Sequence, residues 1–168
     1  MAEVRVEAID AAPLDAGAWA PFGWLPVADT DPADGAQTLH FEWADPHLNV
    51  IAHDYDEVEH TERGAICSVM YRHETHTQAL MPLNCDAVLA VAPAGVGFDD
   101  ATDLDTIRAF LLHPLDALVL HRGTWHWGPF PLGRGAVRLL NVQGKLYARD
   151  NESVDLASAV GAAVEVGT

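Results

Sequence analysis

Apolar residues fall in short runs set apart by clusters of Gly, Pro and Asp. Val4, Val6 and Ala8 alternate with Arg5, Glu7 and Ile9, which predicts an edge strand. Pro13 ends it, residues 14–19 have room for one or two helical turns, and Pro21 and Gly23 close them. Further strands are predicted at residues 24–28, 39–44 (LHFEWA) and 48–55 (LNVIAHDY). Residues 65–71 (AICSVMY) and 87–92 (AVLAVA) are continuous apolar runs, as buried strands are. Residues 117–121 (ALVLH) and 136–142 (AVRLLNV) complete the strand set, and residues 106–112 (TIRAFLL) fit a strand or a short helix. Residues 29–35 (DTDPADG) are the clearest loop, and residues 54–63 are charged and solvated. Ala-rich residues 153–164 predict a weak terminal helix, which Gly161 disfavours. Many short strands with little helix between them point to a sandwich or a barrel and away from βαβ units.

Two histidine-rich stretches stand out from this pattern. In residues 71–83 (YRHETHTQALMPL), His73, His76 and Gln78 lie close together. On a plain strand His76 and Gln78 share a face and His73 points away, so a bulge or turn at Glu74–Thr75 is needed to bring His73 round. Residues 121–127 (HRGTWHW) carry His121 and His126 about a tight turn at Gly123, with Trp125 and Trp127 placed to wall a pocket or to fill core. A small barrel can present two such motifs on strands that are neighbours in space. That is the cupin arrangement, in which histidines and a carboxylate or amide hold a metal ion. The competing reading is that these histidines cap barrel ends and bind core polar groups. His40, His47, His60 and His113 sit near loops or strand ends, as surface or structural histidines do; His53 is ambiguous. Arg108, between apolar neighbours, must be paired with an acid such as Asp103 or Asp105, or bind a substrate carboxylate.

Composition narrows the partners. The chain has 168 residues and a formal charge of −16, which argues against nucleic acid or an anionic membrane. Residues 108–145 carry five cations against the single acid Asp116, a local excess suited to a small anionic substrate. Cys67 and Cys85 read as buried free thiols, because two cysteines make no disulfide scaffold and their spacing fits no zinc site. No signal peptide or transmembrane run is visible, so the expectation is one cytoplasmic domain spanning 1–168 with a flexible tail at 152–168. A nucleophilic hydrolase is disfavoured, for there is no Gly-x-Ser-x-Gly elbow and neither cysteine has a histidine beside it.

Several segments together resemble the ureidoglycolate lyase family. Leu14, Trp19 and Phe22-Gly23 fit its opening; Arg72, His73, Thr77, Gln78, Ala79 and Pro82 fit its central Glu-Arg-His-Pro-x-Gly-Ser/Thr-Gln-Ala-Phe-Ile-Pro motif. Asp103 with Ile107–Phe110, and then His121, Arg122, Trp125 and His126, follow in the family's order. The resemblance implies an all-β, cupin-type double-stranded β-barrel (jelly roll) with a short N-terminal helix and a C-terminal one. It further implies a homodimer that splits ureidoglycolate into glyoxylate and urea in purine (allantoin) catabolism. It brings a divalent metal, nickel or zinc first and iron or manganese as alternatives, for which His73, His76, Gln78 and His126 are the expected ligands. His121, Arg108 and Arg72 are the expected catalytic residues. Another metal cupin enzyme acting on a related 2-hydroxy or 2-oxo acid, or a binding cupin without turnover, are the competing readings. Departures from the family favour the first of these. His76 replaces a glycine of the central motif, Tyr71 stands at a common glutamate, and residues 137–143 (VRLLNVQ) lack the acids of the family's strand there.

Overall fold

The structure is a computed structural model that describes residues 4–29, 37–42 and 45–168. Two β-sheets pack together. The larger has the order β12–β5–β10–β7–β8–β1–β13–β4 and the smaller β2–β9–β6–β11–β3. In chain order the strands are β1 (Arg5–Pro13), β2 (Gly23–Trp24), β3 (Pro46–Asp54), β4 (Gly64–Cys67), β5 (Val69–Arg72), β6 (Gln78–Pro82) and β7 (Ala87–Ala92). After them come β8 (Arg108–Leu112), β9 (Leu118–Leu120), β10 (Trp125–Pro131), β11 (Ala136–Gly144), β12 (Glu152–Asp155) and β13 (Ala162–Gly167). Among the described residues, helix is confined to α1 (Ala16–Trp19), α2 (Leu156–Val160) and three 3₁₀ turns. This is the all-β jelly roll that the strand pattern and the resemblance lead to.

β7 explains how the layers share the chain. It lies between β10 and β8 with both faces covered, so every residue from Ala87 to Ala92 is buried. Val88, Ala90 and Ala92 face a core built with Trp125, Trp127, Phe98 and Val164; Leu89 and Val91 face a second core with Trp19, Phe22, Phe110 and Leu120. The second core is the space between the sheets. α1 closes it: Asp15 caps the helix by accepting from the N–H groups of Gly17 and Ala18, and Trp19 donates its indole N–H to the Val119 carbonyl (3.2 Å).

Four expectations are corrected. β1 is not an edge strand: it runs parallel to both β13 and β8, and Pro13 is its last residue. Residues 65–71 form two strands, because the chain changes partners at Ser68, from β13 to β10 and β12. Residues 152–168 are no flexible tail and no single helix: β12 pairs with β5 and β13 with β1 and β4, around one helical turn that stops at Gly161. Residues 125–131, left out of the expected strand set after the turn at Gly123, form β10, paired with β7 and β5. Residues 106–112 resolve into the end of a 3₁₀ turn and β8. The strand expected at 24–28 is only β2; of the one expected at 39–44, residues 39–42 make a single bridge, Phe41 to His76, and 43–44 lie outside the described residues. Residues 30–35 of the expected loop lie outside the described residues.

Candidate metal centre

The turn demanded by strand parity is present. β5 stops at Arg72, β6 starts at Gln78, and the five residues between them swing His73 onto the same side as His76 and Gln78. Gly123, at φ 77°, turns the chain from β9 into β10, and its N–H donates to the His73 carbonyl (2.7 Å). His73, His76, Gln78, Leu120, His121, Thr124 and His126 then line one pocket of about 140 Å³ at the end of the inter-sheet core. His73 and His76 have ring centroids 4.5 Å apart, and His73 and His126 5.4 Å apart.

The hydrogen bonds around these rings decide what they can do. His73 Nδ1–H donates to the Asp150 carbonyl (2.7 Å), His76 Nδ1–H to the Thr77 carbonyl (3.0 Å) and His126 Nδ1–H to the Thr124 carbonyl (3.2 Å). A carbonyl can only accept, so each ring keeps its proton on Nδ1 and its Nε2 lone pair free. Gln78 donates its amide N–H to Asn141 (2.9 Å), which in turn donates to Asn49 (2.8 Å), leaving the Gln78 Oε1 free. His76 Nε2 and Gln78 Oε1 are buried with no hydrogen-bond partner. Orphaned buried polar atoms are costly unless something binds them. Imidazoles pinned through the far nitrogen on backbone carbonyls are the usual support of metal-ligating histidines, so the donor set fits a divalent cation.

Protonation states agree. Burial pushes the His126 pKa down to about 3, with the neighbouring His73 adding to the shift. Burial also lowers that of His73, against the opposing pull of its bond to Asp150. Both are neutral near pH 7, the form that ligates.

His73, His76 and Asp150 offer ligand atoms within 4.8 Å of one another and could hold a metal ion. The Asp150 carboxylate, however, already accepts from Glu74 N–H (2.9 Å), Thr75 N–H (2.6 Å) and the Thr75 hydroxyl (2.6 Å). Burial raises its pKa, and those bonds together with His76 more than offset that and hold it below the usual carboxylate range. Its carbonyl holds His73 as well, so Asp150 clasps both ends of the histidine turn. Sequence reasoning missed it: it lies in a featureless loop, 75 residues from Thr75. Gly144 was missed too. A Cβ there would stand 2.7 Å from His76 Cδ2, so the extra histidine fits only against a bare backbone.

Among the expected catalytic residues, His121 lies exposed at the pocket rim. Neither of the two arginines joins it. Arg72 stacks on Trp125 (4.4 Å) and bonds Glu152 (2.7 Å), Glu74 (3.1 Å) and the Ala94 carbonyl. Arg108 is exposed and donates to the carbonyls of Asp105 (2.7 Å) and Ile107 (2.8 Å). It shares a row with His126 across Val91, two strand spacings or roughly 10 Å away. There it lines a separate open groove with Phe22, Ile107 and Phe110, which contains no histidine. Trp125 and Trp127 belong to the outer core on the face opposite His126, not to the pocket wall. Cys67 is fully buried and Cys85 half-buried, both as free thiols.

A sequence model of the family described as ureidoglycolate lyase matches residues 6–162. The chain belongs to the ureidoglycolate lyase family. Among similar proteins, one from Salmonella paratyphi B and one from Salmonella typhimurium, each named ureidoglycolate lyase, are 38% identical to it over 55 residues. That stretch spans 33% of this chain and 32% of each relative. Among the described residues, no helix is long and apolar enough to cross a membrane.

Proposed function

We propose that this protein is a ureidoglycolate lyase-like enzyme that releases glyoxylate and urea, with His73, His76, His126 and Gln78 as the ligands of one divalent metal. The observation that carries the reading is the set of four donor atoms: three Nε2 lone pairs fixed by Nδ1–carbonyl bonds, and the orphaned Gln78 Oε1 beside them. Family membership supplies the substrate. Nickel and zinc suit three imidazoles and an amide oxygen, with iron and manganese as alternatives.

Cleavage removes a proton from the carbinol hydroxyl, breaks the C–N bond to leave the aldehyde of glyoxylate, and adds a proton to the departing urea nitrogen. A bound divalent cation supplies Lewis acidity toward the hydroxyl. His121, on the rim, takes the hydroxyl proton and returns it to the urea nitrogen, a contribution of roughly 10²–10⁴-fold. Thr124 and Leu120 shape the inner wall and limit water. A chain of amides, Gln78 to Asn141 to Asn49, fixes the ligand oxygen in place of the acids missing from β11. That substitution also favours the second reading, a metal cupin enzyme on a related 2-hydroxy or 2-oxo acid, because a neutral amide leaves the cation more electrophilic.

The working form is a cytoplasmic homodimer built on the outer face of the small sheet. Leu48 and Val50 are 65% and 57% exposed there, beside Leu140, Val142, Ala79 and Met81 in cross-strand register. Copies that each carry −16 approach best through a face whose strand centres bear no acid. Five strands cover roughly 500 Å², a large share of the ~800 Å² per partner in stable complexes.

Purified protein loaded in turn with nickel, zinc, manganese and iron is to be incubated with ureidoglycolate, and glyoxylate and urea measured. Stoichiometric release is expected, and lost in His126→Ala. No release with any metal would reject the lyase reading, and turnover of another 2-hydroxy acid would select the alternative.

A further inference from the structure

The pocket is too small for the chemistry assigned to it. Between its side chains it has no room for even a water-sized sphere, against the ~300 Å³ or more of ordinary small-molecule sites. Residues 37–42 pair with the turn that carries His76 into it. His40 N–H donates to the Thr77 hydroxyl (3.0 Å), Thr77 N–H to the His40 carbonyl (3.0 Å) and Glu42 N–H to the Thr75 carbonyl (3.2 Å). Phe41 thereby bridges to His76 and lays its ring over the imidazole, with centroids 6.4 Å apart and planes 22° apart. Among the described residues, three main-chain N–H groups and the Phe41 ring make these contacts.

A charged side-chain contact latches it. Arg122, next to the rim residue His121, donates to Glu42 at 2.6 Å and lies 3.5 Å from His40. Both side chains of the ion pair are more than two-fifths exposed, so the pair adds little to stability and exchanges readily. The two arginines expected near substrate are spent: Arg72 on Glu152, Glu74 and Trp125, Arg108 on backbone carbonyls. Arg122 alone among these three is held by a carboxylate on the segment that must move.

We propose that residues 37–42 are a strap that shuts the histidine pocket, and that Arg122 binds the carboxylate of the entering substrate in exchange for Glu42. Glu42 thus occupies, in the closed form, the place of a substrate carboxylate. Opening the strap lifts Phe41 from His76, and the freed guanidinium offers parallel N–H donors to the incoming acid. Arg122 is a binding and specificity residue, and Glu42 a competitor built into the chain. The carboxylate assignment rests on the proposed lyase reading, whereas the strap does not.

Two measurements separate them. Metal-free wild type, Phe41→Ala and Glu42→Gln are treated with diethyl pyrocarbonate, and modification of His76 is followed by peptide mass spectrometry. Both variants are expected to react several-fold faster at His76, with unchanged circular dichroism; equal rates would overturn the strap. Glyoxylate binding to nickel-loaded protein is then followed by calorimetry in wild type, Glu42→Gln, Arg122→Gln and Arg122→Lys. Glu42→Gln is expected to bind more tightly and Arg122→Gln roughly 10–100-fold more weakly, as for loss of a charged hydrogen bond, with partial recovery in Arg122→Lys. Unchanged affinity in Arg122→Gln, or no binding to wild type, would overturn the carboxylate assignment whatever the turnover assay gives.

Discussion

At His126, buried between sheets beside His73, the loss of hydration drives the imidazole pKa to about 3, far below its value in an open chain. The folded protein therefore keeps the ring neutral, while the unfolded chain takes up a proton once pH drops below ~6.5. The stability this neutral ring shares with His73 is fully present above that value and is lost as pH falls toward the folded pKa. Thermal denaturation of metal-free protein should show Tm falling from about pH 7 to about pH 5, and a flat profile would contradict neutral burial. His76 carries its own prediction. His76→Gly should weaken nickel or zinc binding markedly in calorimetric titration, since it deletes one of the four proposed donors. Gly144→Ala should do the same from a distance, because its new methyl group meets the His76 ring, at an overpacking cost of ~1–3 kcal/mol.

The decisive element is the turn between β5 and β6. Its need could be read from strand parity, because His73 and His76 cannot share a face on a regular strand. What holds the turn could not, since Asp150 is distant in sequence and has no pattern to mark it. Asp150→Ala strips two backbone N–H groups and a hydroxyl of their acceptor. It should cost ~1–3 kcal/mol in denaturant unfolding and weaken metal binding as well. An Asp150→Ala protein with unchanged metal affinity would show that the clasp does not position His73. Strand existence was legible wherever both faces are covered, as in β7, or alternate cleanly, as in β3 and β11. β10 was hidden because the glycine and prolines in WHWGPFP imitate a turn, and a register shift between Trp127 and Phe130 absorbs them. β13 was hidden because Ala-rich sequence reads as helix until a neighbouring strand claims its backbone, and β12 because its four residues lack an apolar run.

For the whole molecule, the arrangement of the two sheets leaves one face unaccounted for. β3 is an outer strand of the small sheet, and its outward residues from Pro46 to Ala52 are apolar where an exposed edge ordinarily carries charge. If the proposed dimer forms through this face, Leu48→Lys with Val50→Lys should give a monomer in light scattering coupled to size exclusion, while leaving the protein folded. A wild-type monomer at micromolar concentration would reject the interface.

The sequence alone determined the class of fold, because strand periodicity and turn residues are local, and it named the histidines and the glutamine whose chemistry is intrinsic to the side chain. It also located the family, through motifs that keep their order. Only the tertiary structure decided which nitrogen of each histidine is free, since that depends on carbonyls supplied by the folded backbone. It likewise removed Arg72 and Arg108 from the pocket, brought Asp150, Gly144 and Phe41 to it, and turned Trp125 and Trp127 to the other side. Those are facts about contacts between segments far apart in the chain, and no short-range pattern encodes them.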